Sequence, residues 1–561
     1  MSLDKQWLDN AFSEYQKAKD LIDNQSKLDP PTRPFKSKYE GQEILRAMLD
    51  ELSVIDYEDD DDTLHQVNML KFVLKFELGA VAVETEEMGQ GKQLLESAKS
   101  FLDDIFPKAI GMIIFNQSVN NLLSFVLCSF DEHKQALAHL KAIVLLYKQW
   151  QSIPDKSNFA TYDLVDAFKQ SLPVSTTQET ACKVEKNYTQ TLYFLAQVCE
   201  KLGLNEESAS YCNETLKRQY ESDEYEPVDW ATNAATLSQY YATQGEFVIA
   251  SFHLIAASHI LRKHESDFQL EQEQFSKAEA DISRILVKYC IILFEATEHS
   301  SVIRDNPIAA LIEKENITDT IPTLPPKSYE EARELFKVGH QANTNAKEYY
   351  TLDEHCSDYI DCIFDESKFY RLMAKFEKDK QRICVMHKRR IDMLEALHQA
   401  INANYFLAQS RQMQFELGEI YSEMVDIKIS IAETTKDANR KSLTKINSLI
   451  LKGIAHFHDF VNSFVDKKSL VMPSRFDEEM VKPLLVAYFS IGRLKTKLLT
   501  NDQREQANNW TSCEHYYKKV NEYIETNPDH ESLASEEVNL IREMLQLIPK
   551  KMNLILNSTM Y

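Results

Sequence analysis

Glycine and proline are scarce in this sequence, with 11 and 15 copies among 561 residues. These two residue types interrupt regular structure and occupy tight turns. Their scarcity, together with abundant leucine, alanine, glutamate and lysine, predicts long uninterrupted helices. The alternating apolar and polar residues typical of strands are also rare, so we expect no sheet and a helix content of at least about two-thirds.

The nine cysteines are scattered along the chain and include no CxxC pair. An odd number without paired spacing argues against a disulfide framework and favours reduced, intracellular thiols. No uninterrupted apolar run reaches about 18 residues, and the first residues, MSLDKQWLDNAF, are acidic and amphipathic. We therefore expect no membrane insertion, no secretory signal and a cytoplasmic location.

Basic residues are outnumbered, with 63 lysines and arginines against 87 aspartates and glutamates, and the formal net charge is −24. Such a chain repels nucleic acid and anionic lipid, so we expect no nucleic-acid partner unless a local basic patch exists. The best candidate for a patch is the run His387-Lys388-Arg389-Arg390. A solvated or salt-bridged helix face is the favoured interpretation of this run, and a binding patch is the alternative.

Motifs of catalysis and metal binding are missing from the sequence, including GxSxG, a Walker loop, GxGxxG, HExxH and a paired zinc-ligand cluster. The acidic run from Asp56 to Asp62 is the nearest approach to a metal site. It favours a solvated loop, because the alternating ligands and turn glycine of a calcium-binding loop are absent. We therefore expect a protein that is not an enzyme and that holds no cofactor and no metal.

A repeated helical pattern is what the sequence does contain. The pattern starts with a large residue followed directly by a small one. A filler residue comes after this pair, and a second small residue comes nine positions after the filler. The pattern begins at Leu78-Gly79, Leu123-Ser124, Leu195-Ala196 and Leu237-Ser238. Small residues on both helices of a hairpin permit close approach, and the large residues fill the space to the next hairpin. The sequence thus predicts stacked helix hairpins and resembles a degenerate tetratricopeptide repeat.

The domain organisation is read from one long helical pattern and the proline-containing segment after it, RDNPIAALIEKENITDTIPTLPPKS. Ser328 and Glu331 follow at the spacing of a helix capping box. We expect an N-terminal tetratricopeptide-like subdomain at 1–265, a linker helix at 266–300, a linker loop at 301–327 and a C-terminal helical-repeat subdomain at 328–561. Periodicity in the last of these predicts helices over 329–350, 365–396, 403–433, 437–467 and 475–500.

With no sign of catalysis, the function is expected to lie in a surface. Resemblance to tetratricopeptide hairpins implies that the first helix of each repeat lines a groove. The positions beside the buried pairs of the third and fourth repeats are Phe194 and Gln197, then Thr236 and Gln239. We predict a polar and aromatic track that grips a helix of another protein, with Gln219 at the loop between the two hairpins. The alternative is that Phe194 packs internally and the glutamines merely solvate the face.

Two longer blocks carry a resemblance to a known family. The first comprises NYTQTLYFLAQVCEKL, YCNETLKRQ and YEPVDWATNAATLSQYY, and the second SYEEARELFKVGHQA, AKEYY and CVMHKRRIDMLEAL. KSKYE and VETEEMGQG extend the likeness over nearly the whole chain. These segments are similar to the KIF-binding proteins, which bind kinesins.

The resemblance implies an all-α, right-handed tetratricopeptide solenoid in two subdomains joined by a long helix. It implies binding to the motor domains of a subset of kinesins, which prevents their attachment to microtubules, and hence a cytoskeleton-associated location. It also points to Phe194, Gln197, Gln219 and Thr236 as motor contacts, with Phe194 standing where the family is expected to carry tyrosine. An acidic chain suits this role, because a microtubule-binding face must fit acidic tubulin. A general adaptor or co-chaperone that binds peptide tails is the alternative.

Overall fold

The computed structural model describes residues 5–54, 61–106, 109–169, 171–268, 272–297, 307–435, 440–466 and 471–557. Helices α1 to α10 are Lys5–Asp23, Lys36–Val54, Asp61–Glu84, Met88–Ile105, Ile113–Ser129, His133–Gln151, Gln178–Lys201, Asn205–Ser222, Pro227–Thr243 and Phe247–Lys263. Helices α11 to α20 are Gln272–Glu295, Pro307–Lys314, Tyr329–Tyr349, Cys356–Ala374, Lys380–Ala400, Leu407–Thr435, Arg440–Asn462, Glu478–Thr496, Gln503–Thr526 and Ser535–Asn557. Short 3-10 helices lie at Gln25–Leu28, Ile110–Met112, Lys156–Asn158, Leu164–Phe168, Glu265–Phe268 and Pro528–Ala534. Well over two-thirds of these described residues are helical and none lies in a strand, as predicted.

The chain forms two compact units. The first comprises Met1–Tyr240 with Arg304–Ile317, and the second Tyr241–Ile303 with Thr318–Tyr561. Within the first, helices pair in order as α1 with α2, α3 with α4, α5 with α6 and α7 with α8; within the second, α16 pairs with α17 and α18 with α19. The helix expected over 266–300 is α11, which packs on α13. The subdomain limits expected at 265, 300 and 327 remain a prediction.

Close approach of small residues confirms the predicted repeat register. In the hairpin of α5 and α6, the Ser124 hydroxyl donates to the Ala136 carbonyl at 3.4 Å. In the hairpin of α7 and α8, the Ser208 hydroxyl donates to the Ala196 carbonyl at 2.8 Å. These bonds span twelve residues and join the two helices of each hairpin at the positions that the sequence pattern selects.

Glycine also permits close approach of the paired helices, at the positions where their backbones come closest. A Cβ atom at Gly91 of α4 would lie 2.7 Å from Val83 Cγ2 and 3.5 Å from the Gly79 carbonyl of α3. In the second unit, a Cβ atom at Gly418 of α16 would lie 2.8 Å from three ring atoms of Phe457 on α17. A side chain at either position would overlap its neighbour, so the hairpins need glycine there.

Several predicted helix ends differ from the observed ones. The stretch 365–396 is two helices, α14 and α15, which are separated at Lys375–Asp379 although this break contains neither glycine nor proline. Helix α12 lies inside the segment that was expected to be a loop. The Ser328 hydroxyl does cap α13 by accepting from the Glu331 N–H at 3.2 Å, but the Glu331 carboxylate accepts from Lys327 N–H rather than closing a capping box.

The basic run at 387–390 is not a continuous surface patch. Arg390 is 2% exposed and donates to Glu416 Oε1 at 3.0 Å and to Ser367 Oγ at 3.1 Å. His387 is also buried, and burial followed by the charge of Arg390 lowers its pKa to about 4. The salt-bridged interpretation is therefore correct in part, whereas solvation of the whole run is wrong. Residues 56–60 of the acidic run lie outside the described residues.

Among the described residues, one helical stretch, Ile110–Ser129, is long and apolar enough to cross a membrane by length and composition, with a mean hydropathy of 1.4. It is 67% buried inside the structure. Its helix α5 packs against α4, α6 and α7 and carries the buried polar residues Gln117, Asn120 and Asn121. This environment is that of a core helix in the first unit.

Candidate functional site

Helices α7, α8 and α9 of the first unit hold the predicted site residues. Helix α7 is capped by Thr177, whose hydroxyl accepts from the Thr180 N–H at 3.1 Å. Helix α9 is tied to α8 by Trp230, which is 1% exposed and whose indole N–H donates to the Leu216 carbonyl at 3.0 Å. These contacts fix the start of α7 and hold α9 against α8.

Arg218 fixes the last turn of α8 against α7. Its guanidinium forms an ion pair with Glu185, donates to Thr189 Oγ1 at 3.0 Å and lies over the rings of Tyr188 and Tyr147 at 5.0 and 5.6 Å. Burial and the hydrogen bond to Glu185 raise the pKa of Tyr147 above its ordinary value, so that hydroxyl remains a donor. This anchoring holds the neighbouring residue, Gln219, in a defined position.

A groove of about 400 Å³ lies between these helices, and three of the five predicted residues line it. Gln197 of α7 and Thr236 of α9 are exposed, and Gln219 of α8 is half-buried. We call this cavity the α7–α9 groove. These three residues present two amide side chains and one hydroxyl that can donate to and accept from a bound chain.

Gln219 is not in a loop, contrary to the sequence expectation. It lies in the last turn of α8, and its backbone carbonyl accepts from the Glu224 N–H at 3.2 Å. The helix continues to Ser222 because residues 217–222 contain no helix breaker, and it ends where Asp223 adopts a positive φ of 55°. The first residue of α8 is Asn205.

Phe194 lies beside the groove rather than in it. Its half-buried ring is 6.4 Å from the ring of Phe125 on α5 and 5.9 Å from that of Tyr193. Phe125 and Tyr193 are 44% and 40% exposed, so the three rings form a partly exposed aromatic row across α5 and α7. The ring of Phe194 is neither a free surface group nor a fully internal one.

Gln239 is half-buried on α9 and does not line the α7–α9 groove. Two residues that the sequence reading missed do line it, Tyr193 and Asn233. Both could have been found by helical spacing, because Tyr193 lies one turn before Gln197 and Asn233 one turn before Thr236. The prediction selected only the positions that directly flank each buried pair, so it did not include these two residues.

Acidic side chains surround a second cavity that shares Tyr193, Gln219 and Asn233 with the groove. Its two basic residues already have partners, since Lys186 pairs with Glu224 at 3.0 Å and Arg218 with Glu185. Three further carboxylates line it, and within the described part of the chain none forms an ion pair; they are Glu221, Glu226 and Asp229. This acidic end carries excess negative charge beside the groove.

The chemistry of the groove is that of a binding surface. Cys212 lines it, but burial raises the pKa of its thiol to about 11, so the thiol is neutral and a weak nucleophile. No group of three or more histidine, cysteine, aspartate or glutamate side chains suited to a metal ion occurs among the described residues. Amides, a hydroxyl, aromatic rings and a neighbouring negative field are suited to hold a polypeptide with basic character.

Comparison with known proteins gives a consistent result across both units. A family model described as KIF-1 binding protein C terminal matches residues 228–555. The KIF-binding protein of Gallus gallus is 32% identical, covering 97% of this chain and 96% of that protein, and the KIF-binding protein of Drosophila melanogaster is 28% identical, covering 99% and 98%. The cryo-EM structure of KIFBP has a TM-score of 0.64 at 26% identity and covers 98% of each chain. The chain therefore belongs to the KIF-binding protein family.

Proposed function

We propose that this chain binds the motor domains of a subset of kinesins and blocks their attachment to microtubules, and so regulates microtubule-based transport. The observation that carries the proposal is the similarity to proteins named for KIF binding over 97% of the chain. It acts without catalysis and without a cofactor, in the cytoplasm, and meets microtubules indirectly through the motor. Neither nucleic acid nor insertion into a membrane is part of this role, in keeping with a net charge of −24.

The α7–α9 groove is the proposed motor site. Gln197, Gln219 and Thr236 converge on it and would bond to the polar edge of a bound helix. Phe194 would contribute through the aromatic row, and Gln239, half-buried on the same helix as Thr236, would contact the partner at the edge of the groove. The acidic end adds long-range attraction for a basic microtubule-binding face, so association should slow as salt is raised.

Binding of isolated motor domains tests the proposal. Gln197→Ala combined with Gln219→Ala should weaken capture of a bound motor by about tenfold or more per site, since an interface partner left unpaired costs about 1–3 kcal/mol. The matched control is Gln135→Ala combined with Gln149→Ala, which removes two exposed glutamines from α6. If both double variants lose binding equally, the groove is not part of the contact with the motor.

Binding of isolated kinesin tails distinguishes the alternative function, that of a general adaptor or co-chaperone, from the proposed one. A general adaptor or co-chaperone of this fold would hold a peptide carboxylate with lysine, asparagine and arginine. The α7–α9 groove is lined by Asn205 and Asn233 but, in the part of the chain that the structure describes, by no lysine or arginine. Capture of isolated tails in preference to motor domains would overturn the proposal in favour of the adaptor.

A further inference from the structure

A second groove, in the second unit, has the opposite charge to the rest of the chain. It occupies about 590 Å³ between α15, α16 and α17. Four lysines line it and, among the described residues, no aspartate or glutamate does; the lysines are Lys388, Lys428, Lys445 and Lys452. In a chain with a net charge of −24, such a concentration of one sign is a strong local exception.

Two of the four lysines have no carboxylate partner among the described residues. Lys388 pairs with Asp392, and Lys452 lies 3.5 Å from Glu395. Lys428 donates to the neutral Gln381 Oε1 at 3.4 Å, and neither it nor Lys445 forms an ion pair within the described part of the chain. The charges of Lys428 and Lys445 are therefore available to an anionic partner.

The floor between the lysines is apolar. Ile391 and Ile446 are 1% and 4% exposed at its base. Ile431, Ala432 and Leu449 are half-buried and line the open side, where they still present surface to an occupant. An inorganic anion or a nucleotide phosphate would make no apolar contact with such a floor. A segment with an apolar face and an acidic face matches both the floor and the lysines.

We infer that this groove is a docking site for an acidic amphipathic peptide segment of a partner protein. The apolar side chains of the peptide would cover the floor made by α15, α16 and α17, and its carboxylates would meet Lys428 and Lys445 at the rim. The groove lies in the second unit and shares no residue with the α7–α9 groove. The site would therefore allow a second protein to bind without occupying the proposed motor site.

A designed peptide tests the inference. The probe is a fluorescein-labelled 18-residue helical peptide with glutamates on one face and leucines on the other, titrated with the full chain by fluorescence polarisation. We expect saturable binding that weakens as salt is raised. Lys428→Gln combined with Lys445→Gln should raise Kd about tenfold, since two partly screened ion pairs are together worth about that factor.

Matched controls make the result specific. Lys550→Gln combined with Lys551→Gln changes the net charge equally at an exposed site on α20 and should leave Kd unchanged. A peptide with lysine in place of glutamate should not bind. Equal loss in both double variants, equal binding of both peptides, or binding of phosphatidylserine vesicles in place of the peptide would each overturn the inference. Capture of the kinesin motor should be unchanged in the Lys428 and Lys445 variant, which separates this site from the motor site.

Discussion

Replacement of Gly418 by alanine probes the close helix contacts on which the repeat depends. The added Cβ atom would lie 2.8 Å from Cγ, Cδ1 and Cε1 of Phe457, a ring that is 0% exposed and packs edge-on against Phe415 at 5.7 Å. Overpacking of this kind costs about 1–3 kcal/mol. Alanine recovers about 1 kcal/mol through its helix propensity. We therefore expect a net loss of up to about 2 kcal/mol.

Urea unfolding followed by circular dichroism measures this loss. Gly89→Ala is the control, because no atom lies within 4 Å of the added Cβ at that helical position, and it should leave stability unchanged or raise it by up to about 1 kcal/mol. Phe457→Leu should relieve the clash. The variant that combines it with Gly418→Ala should therefore lose less unfolding free energy than the two single variants lose together. A Gly418→Ala protein that gains as much stability as the Gly89→Ala control would refute the contact.

Two further predictions concern stability. Ser208→Leu should destabilise the chain by about 1–3 kcal/mol through overpacking against the Ala196 backbone, whereas Ser210→Leu, at an exposed position of the same helix, should cost far less, and thermal unfolding of the two variants compares them. Stability should also fall as pH drops from about 6.5 towards 4, because burial lowers the pKa of His253 and of His387 to about 4. The contribution of each neutral ring to the unfolding free energy is fully present above the unfolded pKa of about 6.5, and about 2 kcal/mol of it is lost by pH 5. In urea titrations, the stability of a His387→Gln variant should therefore depend less on pH.

The repeat register could be predicted because it rests on local rules. Hairpin helices with small residues at fixed spacing have few ways to pack, and the pairs at Ser124 and Ser208 confirm the spacing. Helix boundaries were less accessible. The break between α14 and α15 has no glycine or proline, so tertiary packing rather than local propensity must end α14 there.

The candidate site was predictable in its location and less so in its members. Gln197 and Thr236 follow from helical spacing and line the groove as expected. Gln219 was misplaced because a helix continues past its last apolar residue when nothing interrupts it. The position of Phe194 depends on Phe125, which lies 69 residues earlier, and periodicity within one helix carries no information about such a contact.

Microtubule co-sedimentation tests the central claim most directly. A motor domain that the chain captures is first bound to microtubules with a non-hydrolysable nucleotide, and the chain is then titrated in. The account predicts that the parent protein moves the motor into the supernatant, that the Gln197→Ala and Gln219→Ala variant needs at least about tenfold more protein to do so, and that some kinesins stay in the pellet. A motor that stays on the polymer at saturating parent protein would contradict the claim, and release of every kinesin tested would attribute the effect to charge alone.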